Sequence, residues 1–317
     1  MKQQNSSAKE LRQFRRSERL MGNSFEFTVV GENESWATRM FELAIAEIQR
    51  IEAQLTTYRD TSQTNAINAN AGIQPVLVDR EVFDLVQRSL KISSITDGAF
   101  DITYGSIDKK LWNFDQELKA LPDPLTAKEM VRLINYKNVI LDRERCTVML
   151  KENGMRIGFG GIGKGFAAEM AKNLLKKSGV EHGIVNASGD LTAWGSQPGG
   201  EPWTIGIANP NISSLPFSYM NITNMAVATS GNYEKFVIIN EKKYSHTINP
   251  KTGLPVTGIK SVTIISPNAE IADAMATPVT IMGVHAGIDM INQIDYLGCI
   301  IIDDDNKIYT SKNINLQ

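Results

Sequence analysis

Cysteine is nearly absent: Cys146 and Cys299 are the only two in 317 residues, isolated and far apart. No C-x-x-C pair can be drawn from them, so neither a disulfide framework nor a structural zinc site is suggested. An excess of charge is missing too. Lysine and arginine number 33 against 35 aspartates and glutamates, a net charge of −2. That leaves no electrostatic footprint for nucleic acid or an anionic membrane. No apolar run approaches the length of a membrane-spanning helix. The opening residues, MKQQNSSAKELRQFRRSERL, lack the apolar centre of a secretory signal. Residues 1–20 are therefore expected to be a flexible, solvated arm, and the compartment cytoplasmic. Internal repeats and low-complexity segments are lacking as well. What remains is an ordinary globular composition, in a chain long enough for one large or two ordinary domains and a substantial core.

Glycine is concentrated in one place, residues 158–168, GFGGIGKGFAA. Glycines allow close backbone approach and positive φ, and the first N–H groups of the following helix lie at the positive end of its dipole. Together these favour an anionic ligand, most often a phosphate, and Lys164 adds a positive charge. Three readings compete. Gly158, Gly160 and Gly163 spell the G-x-G-x-x-G of a dinucleotide fold, with Asp190 roughly where its acidic residue should be. Residues 158–164 also begin a P-loop, but Gly165 stands where Ser or Thr should hold magnesium. The third reading is a tight loop that lets helix and sheet pack closely. The loop alone does not decide.

Residues 24–30 (SFEFTVV) alternate apolar and polar and predict a strand. Residues 34–58 predict a long helix with Met40, Leu43, Ala44, Ile48, Ile51 and Leu55 on one face. LTTYRDTSQTNAINANAG then reads as a structureless polar loop, which at that size usually has a task. Tyr58 and Arg59 at its head could stack on and pair with a ligand. Residues 79–96 predict a second helix, stopped at Gly98, and the loop beyond it carries Ala99, Phe100 and Asp101. A third helix is expected over 124–136, with Thr126 and Glu129 at capping-box spacing, then strands over 138–141 and 146–151. The helix after the glycines should run through Lys177 and stop at Gly179. A short strand over 183–187 leads into SGD. From Trp203 onward the pattern is mostly β, with Asn240 and Glu241 reading as a hairpin turn. Helices are expected over Ala269–Met282 and around 287–294, followed by two strands, CIIID and KIYTS. Strands and helices interleave without a βαβα rhythm, which predicts an α+β protein, a mixed β-sheet core with flanking helices, in one compact unit of two lobes.

Two stretches in the second half carry chemistry. In residues 244–258, YSHTINPKTGLPVTG, His246 stands beside a turn signal at a strand end. A histidine there can accept a proton near neutral pH, or simply bond to the turn. In residues 271–278, IADAMATP, Asp273 and Thr277 stand at i and i+4 and share a helix face. A carboxylate and a hydroxyl suit magnesium, which keeps waters and borrows phosphate oxygens; alternatively Thr277 bonds back to the carbonyl of Asp273. Pro278 should end or kink that helix.

These motifs together resemble the ApbE family, the FAD:protein FMN transferases. The likeness runs over nearly the whole chain from Met21, in the family's order: MG at Met21, LTTYR at Tyr58, DGAFD to Asp101, GGIGKG around Lys164, NASGD to Asp190, ATSGNY with Thr229 to Tyr233, SHTINPKTG and ADAMAT. It displaces the Rossmann and P-loop readings. The resemblance implies a T-fold-related architecture, one domain over residues 21–317 with a flavin cleft between two lobes. It implies an enzyme that, with Mg2+, cleaves FAD as its substrate and attaches FMN through a phosphoester bond to a Thr or Ser of a target flavoprotein, releasing AMP. Carried over by position, Met21, Tyr58, Ala99, Phe100, Asp101, Gly158 and Lys164 would contact FAD, with Thr247 and Ile248 near it. Asp273 and Thr277 would hold Mg2+, helped by a main-chain oxygen near Gly161. His246 and Asp273 would be catalytic, His246 as the base toward the incoming hydroxyl. Two positions depart from the family: Gly158 and Asn249 each stand where an Asp is usual. Those losses make FAD binding without transfer one alternative; hydrolysis of FAD to FMN and AMP at the same site is another. Commoner family members are exported lipoproteins, so a periplasmic or membrane-anchored protein trimmed of its leader is the alternative compartment.

Overall fold

A computed structural model describes residues 10–107, 120–208, 216–231, 236–239 and 242–314. The chain opens with the hairpin β1 (Arg12–Leu20) and β2 (Asn23–Gly31). Next come α1 (Glu34–Leu55), α2 (Gln63–Ala69), β3 (Val76–Leu77), α3 (Arg80–Ile95), α4 (Pro124–Met130), β4 (Val139–Asp142), β5 (Thr147–Leu150) and α5 (Gly163–Lys177). A β-rich stretch follows: β6 (Gly183–Ala187), β7 (Asp190–Trp194), β8 (Trp203–Ala208), β9 (Pro216–Ile222), β10 (Met225–Gly231), β11 (Phe236–Ile239), β12 (Lys242–Ser245) and β13 (Ile259–Ser266). Helices α6 (Ala269–Met282) and α7 (Val284–Ile291) and strands β14 (Gly298–Asp303) and β15 (Ile308–Thr310) end it.

One eight-stranded sheet, ordered β1-β2-β6-β7-β10-β13-β14-β15, organises the rest. The α+β class expected from sequence is present. Where a mixed sheet was expected, every described ladder is antiparallel. Tight hairpins impose this locally: between β6 and β7, Ser188 and Gly189 both take positive φ, 55° and 98°, as a two-residue primed turn requires. Strand alternation then divides the side chains. Leu191 and Ala193 of β7 face a small core roofed by β8 and β9 with Trp203, Ile205 and Ile207. Trp194 faces the main core with Phe25, Phe27, Ile48, Ala168 and Met275, under α1, α5 and α6. Asp190, two alternations from Trp194, shares that helical side.

Several expectations change. Residues 12–20 are not an arm: each pairs with β2, Leu20 is buried, and Arg16 turns inward to bond Glu42 on α1 at 2.5 Å. Residues 1–9 lie outside the described residues, as do Tyr233 and the Asn240–Glu241 turn. Leu43 is 41% exposed; the other expected positions of α1, Met40, Ala44, Ile48, Ile51 and Leu55, are buried, and Ala37, Phe41 and Ile45 join them. The polar stretch after α1 contains α2, because Ser62 Oγ accepts the N–H of Asn65 at 3.0 Å and caps it. Helix α4 stops at Met130, and its cap is Asp123, which accepts from the Thr126 N–H, with Pro124 at the first position. Pro278 lies inside α6, which continues to Met282 and ends at Gly283, φ 85°.

Candidate active site

The start of α5 has no side-chain cap of its own, since Ile162 precedes it. Its first N–H groups must therefore find acceptors elsewhere. Gly163 N–H bonds the Phe159 carbonyl at 2.6 Å. Gly165 N–H donates to Asp273 Oδ2 at 2.8 Å, and the Lys164 main-chain N–H bonds the same carboxylate. The anion expected at this helix end is thus a side chain of the protein itself, delivered by α6 from 108 residues away. Gly165 makes the approach possible: a Cβ there would stand 2.2 Å from the Ala269 oxygen and 2.6 Å from Asp273 Cβ. This is why glycine follows Lys164 where a P-loop would have a hydroxyl. One turn further along α5, Glu169 Oε2 accepts the first N–H of α6, from Ala269, at 3.0 Å, and Lys172 neutralises Glu169 at 2.6 Å.

Lys164 Nζ forms an ion pair with Asp190, the two side chains 28% and 5% exposed. Burial holds the Asp190 carboxyl above its ordinary range, against the pull of Lys164 and of a main-chain N–H from Thr229. Asp273 is pushed up to about 7, first by burial and then by the charge of Asp190, while Lys164 and the two helix N–H groups oppose the rise. Two buried carboxylates therefore share one ammonium, and an uncompensated negative charge remains when both ionise.

A cleft of about 470 Å³ opens here, lined by Gly161, Lys164, Asp190, His246, Asp273 and Thr277 together with strand residues. The Thr277 hydroxyl makes no bond back to the Asp273 carbonyl among the described residues. Gly161 lies between it and the Phe100 ring: a Cβ there would stand 4.0 Å from Thr277 Oγ1 and 3.5 Å from the ring. No group of three His, Cys, Asp or Glu side chains that could hold a metal ion exists among the described residues. A carboxylate, a hydroxyl and nearby main chain, all hard oxygen donors, fit magnesium rather than zinc.

The remaining sequence-expected residues distribute unevenly. Met21, in the β1–β2 turn at φ 51°, donates its N–H to Glu52 at 2.9 Å, and its side chain reaches toward Gly163. Ala99 and Phe100 are buried, as are Thr247 and Ile248. The Ile248 N–H donates to the Tyr104 hydroxyl at 3.3 Å. Asp101 is committed within the protein, accepting from Thr103 N–H and hydroxyl at 2.8 and 2.6 Å and from Tyr136 N–H at 2.9 Å. Tyr58 is 95% exposed and does not line the cleft. At Gly158 a Cβ would meet nothing nearer than Thr57 Cγ2 at 3.9 Å, so the missing acid leaves open space. Asn249 Oδ1 accepts the Lys251 N–H at 2.9 Å, a turn bond that Asp would make equally. That turn is pressed onto α4, since a Cβ on Gly253 would stand 1.9 Å from the Ala127 oxygen, and it places His246 at the cleft. Asp190 entered the sequence reading as the acid of a dinucleotide fold and as the end of the NASGD motif, with no role at this site. With it come Asn23, Asn186, Ser188, Thr229 and Ser230 on the cleft wall. The available signal was an aspartate opening a strand right after an S-G hairpin turn, on the face opposite Leu191.

The model of the ApbE family matches residues 21–301. A FAD:protein FMN transferase of Klebsiella pneumoniae (strain 342) is 31% identical over 294 residues, 92% of this chain and 90% of its own. Another, of Treponema pallidum (strain Nichols), is 31% identical over 84% of this chain and 78% of its own. The crystal structure of the ApbE protein of Thermotoga maritima superposes with a TM-score of 0.84 at 29% identity, over 95% of this chain and 97% of that one. The Pseudomonas stutzeri flavinyl transferase ApbE, at 23% identity and a TM-score of 0.83 over 95% of both chains, speaks for the fold alone.

Proposed function

The chain belongs to the ApbE family, and on that premise we propose that it is a flavinyltransferase, splitting FAD and joining FMN to a Thr or Ser hydroxyl of a target protein with release of AMP. The observation that carries this reading is the convergence of Lys164, Asp273, Thr277 and His246, from α5, α6 and the turn after β12, on one cleft. Phosphoryl transfer is chiefly positioning and charge neutralisation, and those residue types supply both. Magnesium held by Asp273, Thr277 and main chain near Gly161 would neutralise charge developing on the pyrophosphate oxygens. Because Asp273 occupies the first N–H groups of α5, the pyrophosphate is directed to the Lys164 ammonium rather than onto the helix end. Lys164 then stabilises the departing AMP phosphate. His246 takes the proton from the acceptor hydroxyl, whose oxygen bonds the FMN phosphorus as the bridging P–O bond to AMP breaks; such a base contributes about 10²–10⁴-fold.

The test is incubation with FAD, Mg2+ and a target bearing the acceptor. One AMP should appear per covalent FMN, read by intact mass and in-gel fluorescence, and EDTA should stop both. AMP without label would mean hydrolysis instead. Bound FAD with neither product, in the presence of Mg2+ and a cognate target, would overturn the reading.

A further inference from the structure

We propose that Asp190 is a positioning residue of this reaction: it fixes Lys164 at the cleft and makes entry of the pyrophosphate conditional on a divalent cation. The proposal rests on the flavin-transfer reading above. Asp190 is buried at the start of β7, on the sheet face that meets α5 and α6. Its carboxylate is held from two directions, by the Lys164 ammonium and by the main-chain N–H of Thr229. Lysine is a point charge on a flexible four-carbon stem. Anchoring it to a carboxylate that a strand already immobilises confines the ammonium to the cleft wall. A second carboxylate buried beside Asp273 carries a desolvation penalty. The consequence is a matter of charge. When both carboxylates are ionised, Asp190, Asp273 and Lys164 together leave one negative charge, and the pyrophosphate of FAD is itself anionic. Without a cation it meets a wall of like charge; with one divalent ion the wall turns positive.

Asp190→Asn keeps an acceptor for the Thr229 N–H and removes the charge. FAD binding, read by flavin fluorescence in EDTA and in Mg2+, is measured beside kcat and KM. In EDTA the variant should bind FAD about tenfold more tightly than wild type, closing most of the gap between EDTA and Mg2+. In Mg2+ its kcat should fall about 30-fold or more with KM for FAD changed less than about threefold, the pattern of a lost transition-state contact. Asp190→Glu should restore the cation dependence. Lys164→Gln combined with Asp190→Asn should lose no more kcat than Lys164→Gln alone, because the two act as one unit. Equal wild-type affinity for FAD in EDTA and Mg2+, or an unchanged kcat in Asp190→Asn, overturns the proposal when wild type labels its target. Wild type that binds FAD yet never labels overturns the transfer reading instead. If Asp190→Asn does not fold, Lys164→Gln carries the test. With two carboxylates uncompensated it should bind no FAD in EDTA and recover binding in Mg2+; binding in EDTA equal to wild type overturns the proposal.

Discussion

The α5–α6 junction and the segment around Tyr58 both bear residues expected to touch one substrate, yet they are built in opposite ways. At the junction a glycine admits a carbonyl and a carboxylate to distances no side chain would allow, and Asp273, Asp190, Lys164 and Glu169 are tied together or to main chain. Around Tyr58 the backbone is held, with Asn65 Nδ2 donating to the carbonyls of Thr57 and Arg59 at 3.0 and 2.9 Å, but the aromatic ring itself stands in solvent. The difference teaches that the charge-handling end is preorganised before any ligand arrives, as electrostatic catalysis requires.

The sharpest way to break this contrast is Gly165→Ala. The new methyl meets main chain rather than a flexible side chain, so about 3 kcal/mol or more of stability should be lost, lowering the melting temperature by about 6 °C or more and abolishing transfer. Gly158→Ala, which enters open space, should stay within about 0.5 kcal/mol. Equal melting curves for the two would remove the distinction. Asp273→Asn comes next: transfer should fall about a thousandfold, while stability in EDTA holds or rises because a buried surplus charge is gone. A calorimetric scan showing a large loss in EDTA would contradict that.

The pH dependence sharpens the same end. The folded-state pKa of Asp273 is raised from 3.8 to about 7, so between those values the folded protein holds a proton that the unfolded chain has released. Stability without metal should therefore fall as pH rises through that window. A cation needs the carboxylate and competes with the proton, so the Mg2+-induced gain in melting temperature should be larger at pH 8 than at pH 5.5; a gain that shrinks with pH would reverse the sign. The smallest effect is expected at Tyr58→Ala. Melting should be unchanged, and KM for FAD should rise by about three- to tenfold through a lost stacking contact.

How much of this was legible in the sequence depended on how local each cause is. The bounds of helix α6 could be read although Pro278 lies inside it, because Asn268 caps it with a bond to Ile271 N–H and Gly283 stops it at φ 85°. The spacing of Asp273 and Thr277 followed directly. Strand β1 was hidden because its alternation is written in arginines, whose stems cover apolar surface while the heads find charge; Arg16 does so against Glu42. The glycine loop advertised an anion, and an anion is there, but its source lies on another helix and no local pattern names it. Asp101 illustrates the converse. A loop aspartate after a helix looks available for a ligand, yet its bond to Thr103 caps the 3₁₀ turn Ile102–Ser106 and a second bond ties it to Tyr136.

The order of the sheet has a practical consequence for handling the protein. Strands β1 and β15 occupy its two opposite edges, separated by seven strand spacings of about 4.8 Å, or roughly 34 Å. Two or three extended residues, each reaching about 3.5 Å, could not bridge Arg12 of β1 directly to Thr310 of β15. Fluorophores attached at exposed positions on β1 and β15 would instead sit at a separation well suited to energy transfer, and would report any splaying of the sheet directly.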